Sequence, residues 1–243
     1  MLTKHFLMFL LLISSVMSQN VQDVVEKIWA HMGGMENYKA AQQLSFTYVS
    51  GTTEQIRAKR EHLWDRSSGN YVLTVFDLDS NVTYTVFFNI NTRWGTTYKD
   101  GVAVSTVENK KYLEGAYNAF INDTYWLLVP AKLRDPGVFI QLEKQMSAIA
   151  GKTVIRLSFA NVGLTPGDQY WLFVNESGQI ERWTFVLQSD RKGDYTWEEV
   201  KDCGAGLRFA TRKKSTYGSN LVELHNVNFS REVDPNKFIP TFE

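Results

Sequence analysis

Chemistry at neutral pH needs a base, a nucleophile or a metal, and few side chains of this chain are placed to supply one. Beyond residue 18 the histidines are His31, His62 and His225, with no His-x-x-x-His spacing to bring two imidazoles to one helix face for a metal. His62 alternates with Arg60 and Trp64, so a strand would turn all three to one side. Asp123 and Asp135 flank Trp126 and suggest an acid–base pair, but Asp123 is placed to cap a turn and Asp135 precedes Pro136-Gly137, a turn sequence. Glu198 and Glu199 fall on opposite faces of a strand and cannot act together. Cys203, the single cysteine, has no partner for an internal disulfide and reads as a small apolar residue at a strand end. No Gly-x-Ser-x-Gly, phosphate loop or dinucleotide fingerprint is present. The expectation is a binding protein rather than an enzyme, with no catalytic residue, metal or cofactor. A His62 that met Asp123 or Asp135 in a pocket would count against it.

Composition excludes other classes. The chain of 243 residues has 26 basic and 26 acidic side chains. Removing residues 1–18, which contain Lys4 and no acid, leaves 25 − 26 = −1. Such a balance gives no electrostatic footprint for nucleic acid. The Arg212-Lys213-Lys214 run reads as a solvated strand end. Lys4 and His5, the apolar run 6–13 and Val16-Met17-Ser18 have the form of a secretory signal peptide cleaved after Ser18. That run is too short to span a bilayer of about 30 Å, and no later segment is long and apolar enough. A soluble periplasmic or secreted protein is expected, with residues 19–243 forming one domain. Asn-x-Ser/Thr sequons at Asn81, Asn122, Asn175 and Asn228 keep eukaryotic secretion open beside bacterial export.

The elements follow from periodicity. Val21, Val24, Val25, Ile28, Trp29 and Met32 share one helical face, with Asn20 as N-cap, Asp23 in the first turn and Gly33-Gly34 as the stop. A short helix at 35–43 leads into alternating strands at 44–50, 56–65, 71–77 and 82–89. Segments 92–98 and 102–107 flank Lys99-Asp100-Gly101, a hairpin signal. A helix over 109–121 then places Tyr112, Leu113, Ala116, Tyr117, Phe120 and Ile121 on one face, and Pro130 limits any regular element through 122–137. Strands are expected at 138–145, 153–160, 169–176, 179–188, 195–201, 207–213 and 221–229. About a dozen antiparallel strands imply a curled sheet whose concave side takes the apolar helix faces.

The strand beginning at Gln169 is apolar on both sides: Tyr170, Leu172 and Val174 face one way, Trp171 and Phe173 the other. Either other elements cover both faces, or one face lines a cavity for something apolar. In order of elements the chain resembles the LolA-like lipoprotein-carrier superfamily, and within it a bacterial periplasmic branch. The likeness rests on His31-Met32-Gly33-Gly34 with the helix leading to 44–48, on the segment 122–137, and on Gly163-Leu-Thr-Pro-Gly-Asp-Gln-Tyr-Trp171. No lipoprotein-binding residue of the sorting factors matches a position here, so the likeness implies fold more than function. It implies a mainly β, α+β architecture: a large antiparallel half-open barrel wrapped around the N-terminal and mid-chain helices, leaving an apolar cavity. The lining expected from two-residue apolar spacing is Trp64, Tyr84, Phe88, Trp126, Tyr170, Leu172, Trp183 and Phe185. The implied function is carriage of a lipid or acyl-chain ligand, with a membrane-associated delivery partner. A sensor or protein-interaction module on the same fold is the alternative.

Overall fold

The computed structural model describes residues 20–160 and 167–242. The expected signal peptide and the 163–166 part of the resemblance segment lie outside the described residues. Strands β1 (Gln43–Thr52), β2 (Ile56–Asp65), β3 (Asn70–Asp77), β4 (Val82–Asn89), β5 (Gly95–Lys99) and β6 (Val102–Ala103) form one arm of a meander. Strands β7 (Val138–Leu142), β8 (Thr153–Phe159), β9 (Gln169–Val174), β10 (Ile180–Val186), β11 (Lys192–Asp202), β12 (Arg208–Ser215) and β13 (Asn220–Ser230) form the other. The arms join through antiparallel β1–β13 pairing into one 13-stranded sheet that runs from β6 at one edge to β7 at the other without closing. Among the described residues each remaining pair joins strands adjacent in sequence, so β1–β13 alone bridges a long separation. The Asp-Gly turn forms as expected, with Asp100 at φ 46° and Gly101 at φ 84° between β5 and β6.

Helix α1 (Val21–His31) starts with a capping box: Asn20 Oδ1 accepts from Asp23 N–H at 2.9 Å, and Asp23 accepts from Asn20 N–H at 3.3 Å. It buries Val24, Val25 and Ile28 against the second arm, and Trp29 Nε1 donates to the Pro130 carbonyl at 3.1 Å. Helix α2 (Met35–Ala40) follows Gly33 and Gly34, both at positive φ. Gly178, in the β9–β10 turn at φ +86°, lies against the carbonyl of Lys27 so closely that a Cβ would collide with backbone. Gly178→Ala should therefore destabilise the protein by more than about 1 kcal/mol, read as a fall in urea midpoint with an unchanged m-value. A neutral midpoint would mean that α1 does not rest on this turn.

Helix α3 (Thr106–Leu128) differs from expectation. It begins in a second capping box, Ser105 with Glu108, so Val107 belongs to its first turn rather than to a strand. It also continues past 121 for two further turns. Pro130 sits at the start of a 3-10 turn, Val129–Lys132, where a missing N–H leaves no bond unmade. Its 23 residues therefore cross both arms. Tyr112, Leu113, Ala116, Tyr117 and Phe120 pack on Tyr71, Leu73, Val86 and Phe88, while Leu127 and Leu128 pack among Leu44, Phe46, Leu224 and Phe229. Helix α4 (Lys144–Ala150) replaces the end of the strand expected at 138–145 and packs against β8, with Ser147 Oγ accepting from Val154 N–H at 2.8 Å. Val154 is fully buried, and Arg182 lies over the Phe173 ring at 4.8 Å on the neighbouring strand. Protein groups thus cover the outer side of β9 at Phe173, and the question of a cavity falls on its inner side.

Candidate functional site

Between the C-terminal half of α3 and the inner face of the sheet lies a cavity of about 490 Å³. Ile121, Asn122, Tyr125 and Trp126 line it from α3, at the i, i+1, i+4 and i+5 offsets of one helix face. Opposite them stand Tyr170, Trp183, Phe185 and Tyr195 from adjacent strands. The rings form a continuous wall: Trp126–Trp183 centroids are 4.8 Å apart, Trp126–Tyr195 5.1 Å, Tyr170–Trp183 5.3 Å and Phe185–Tyr195 6.1 Å. Gly193, paired with Phe185, lets that ring lie flat across β11, where a Cβ would strike it. The exposed part of the lining, which forms its mouth, is polar, with Arg57, Asn122, Arg191 and Asn220 and the half-buried Ser50, while Asp168 is buried behind it. The Asp168 oxygens accept from Gln188 N–H at 2.8 Å and from the Tyr170 hydroxyl at 3.2 Å. Burial, together with this carboxylate, pushes the Tyr170 hydroxyl well above the usual phenol range, so it stays protonated.

Of the eight lining residues expected from sequence, the structure brings Trp126, Tyr170, Trp183 and Phe185 to this cavity. Leu172 points to the same inner face but is fully enclosed in the core beside Trp183. Trp64, Tyr84 and Phe88 belong to the first arm and line no part of this cavity: Trp64 packs edge-on to Phe120 at 5.2 Å, Phe88 against Tyr71 at 5.3 Å, and Tyr84 stacks on Tyr112 at 4.8 Å. There α3 fills the concavity with its own aromatics. Tyr125, Tyr195 and the polar mouth were missed by sequence reasoning. Extending the helical period four residues beyond Ile121 would have found Tyr125.

Beside the cavity the structure corrects a second expectation. Asp123 does not cap a turn; it sits inside α3 with its side chain fully buried. Arg60 from β2 grips it in a fork, Nε to Oδ2 at 2.6 Å and a terminal nitrogen to Oδ1 at 2.9 Å. His62, two residues along β2, brings Nε2 to 3.0 Å from the same Oδ2, although without the alignment of a good hydrogen bond. Its Nδ1 lies 2.7 Å from the Tyr71 hydroxyl, and its ring stacks on Phe46 at 4.3 Å. His62 and Asp123 therefore do meet, contrary to the reading that His62 lacks a partner. Burial pushes the Asp123 carboxyl up, but the His62 and Arg60 contacts outweigh it and hold the group below the usual carboxylate range. Burial dominates at His62 and lowers its pKa, so the ring is neutral at pH 7. Tyr71, sealed among Phe88 and Phe120, has its hydroxyl driven well above the usual range by burial. A buried Asp–His–Tyr chain of this kind has its last oxygen walled in by protein, so it can orient α3 on the sheet but offers no nucleophile to a substrate.

Among the described residues no three His, Cys, Asp or Glu side chains converge as a metal site, and no helix is long and apolar enough to cross a membrane. Cys203 is a buried free thiol whose pKa burial raises. No family model matches the chain, and no curated protein matches it. Among solved structures, a LolA superfamily protein from Nitrosomonas europaea aligns over 91% of this chain and 98% of its own, with 11% identity and a TM-score of 0.51. A structure of PNGF-II aligns over 82% of this chain and 30% of its own at 12% identity, but its TM-score of 0.20 carries no argument. What the chain shares with the Nitrosomonas protein is the fold: an open antiparallel barrel wrapped around a helix, LolA-like in architecture.

Proposed function

We propose that this is a secreted or periplasmic binding protein that holds a lipid or acylated ligand in the cavity beneath α3. The observation that carries this reading is the aromatic-walled space itself. Its volume of about 490 Å³ falls within the range of roughly 300–1,000 Å³ typical of small-molecule sites, and its rings offer apolar contact with few fixed polar anchors. A chain of about fourteen carbons gains roughly 11 kcal/mol on burial at about 0.8 kcal/mol per methylene, against association costs of about 4–15 kcal/mol. That balance suits a ligand that must be released again. The LolA-like fold, residues 19–243 as one domain, and the leader-like residues 1–18 are consistent with carriage outside the cytoplasm to a membrane-associated partner.

The test is energy transfer from tryptophan to the methyl ester of dansyl-undecanoic acid, since Trp126 and Trp183 border the space. The expected result is saturable transfer from one site, lowered at least tenfold in affinity by Ile121→Trp, which fills the lining from α3. Absence of saturable transfer would remove the carrier reading and favour an interaction module. Catalysis is a second reading, favoured by the His62–Asp123 approach. It is opposed by the complete burial of both side chains. Incubation with the ester probe separates these: catalysis predicts hydrolysis by the wild type that Asp123→Asn loses, whereas a positioning role predicts no hydrolysis by either and lost stability in the variant.

A further inference from the structure

The mouth of the cavity carries a feature that the apolar reading does not use. Of the eleven arginines, eight place their guanidinium against a carboxylate, an amide or carbonyl oxygen, or an aromatic ring. Among the described residues, the three with no hydrogen bond, ion pair or ring contact are Arg57, Arg191 and Arg208, and two of these three line this one mouth. Arg57 is the second residue of β2, and Arg191 lies in the β10–β11 turn, so they approach the opening from opposite arms of the sheet. Ser50, Asn122 and Asn220 add hydrogen-bonding groups to the same lining. The one acid in the described lining, Asp168, is buried and engaged by Gln188 and Tyr170, so among the described residues the exposed rim carries two arginines and no carboxylate.

Charge and greasiness are thus segregated along the cavity: cations and amides at the solvent end, aromatic rings at the floor. An ionised head group is costly to bury, so it must stay at a wet rim, and a guanidinium fork is the side chain best shaped to hold a carboxylate or phosphate there. We propose that the ligand is an anionic single-chain amphiphile, its tail among Trp126, Trp183 and Phe185 and its acidic head between Arg57 and Arg191. The inference rests on the apolar-cavity reading above and adds the head group's charge.

The experiment compares dansyl-undecanoic acid with its methyl ester at low salt. The wild type binds the acid about tenfold more tightly than the ester, since one charge-assisted contact at an exposed rim is worth on the order of one decade. Arg57→Gln with Arg191→Gln brings the ratio to about one through loss on the acid, whereas Arg208→Gln, an equally unpaired arginine elsewhere, preserves it. A wild-type ratio of one, or a ratio the double variant does not change, overturns the proposal while leaving the cavity reading intact. Failure of both probes to bind overturns the cavity reading as well. Competition by oleate and by oleoyl lysophosphatidic acid then distinguishes a carboxylate from a phosphate head. Displacement by neutral monoolein alone would contradict both.

Discussion

Replacement of Asp123 by alanine is expected to lower the unfolding free energy by about 3–5 kcal/mol, the usual cost of stripping one partner from a buried ion pair. The carboxylate is fully buried, takes both prongs of Arg60 and lies 3.0 Å from His62, so its removal strands a cation against the helix it held. The pH dependence follows from two lowered pKa values. His62 is neutral in the fold but gains a proton near 6.5 when unfolded, so stability falls as pH drops below about 6.5 towards its lower folded value. Asp123, held below 3.8, contributes stability that is present above that value and is lost as pH falls further towards its own folded pKa. Urea titrations at pH 7.5, 5.5 and 3.5 should show both stages in the wild type. The second should be smaller in Asp123→Ala, where Asp65 and the other carboxyls with lowered pKa remain, and a loss below about 1 kcal/mol at pH 7.5 would mean that the network does not anchor α3.

Lys213→Met should stabilise the protein at neutral pH, an unusual outcome for a core substitution. Lys213 is fully buried on β12, its ammonium lying 4.8 Å from the Trp197 ring and donating to the Ala210 carbonyl. Ala210 lies two residues before Arg212, the first residue of β12 paired with β13. Burial lowers the Lys213 pKa from 10.5 to about 7. Between those values the unfolded chain binds the extra proton, so wild-type stability rises with pH, by roughly 3–4 kcal/mol from pH 7 to pH 10 at 1.36 kcal/mol per unit. Methionine abolishes that rise and leaves the Ala210 carbonyl short of a donor, at a cost of about 1–3 kcal/mol. A net gain of about 2 kcal/mol at pH 7 that vanishes by pH 10 is the expected signature in paired urea titrations. Equal stability differences at the two pH values would show that the amine is solvated.

These two residues mark where sequence stops informing. Lys213 stood in an Arg-Lys-Lys run that reads as a solvated strand end, and only its register between Trp197 of β11 and Val222 of β13 places it among buried neighbours. Asp123 and Arg60 are 63 positions apart, a separation with no periodicity to reveal it. Local signals did better. Asn20 with Asp23, the Asp100-Gly101 turn and the strands β1–β4 all formed where their residue types place them. Pro130 reads as a break in sequence but can also open a helical turn, and that hides Tyr125 from a lining drawn by periodicity. Two-residue spacing could not tell Trp183, beside the cavity, from Phe88, covered by α3, because the same apolar strand pattern serves both.

The account stands on α3 leaving room on one side of the barrel and filling the other. Co-crystallisation with 12-bromododecanoic acid tests this most directly, since anomalous scattering locates the bromine at the end of the tail. The expected result is a single bromine among Trp126, Trp183 and Phe185, with the carboxylate towards Arg57 and Arg191. Bromine beside Trp64, Tyr84 and Phe88, or a cavity closed by its own rings with ligand only on the outer surface, would contradict it.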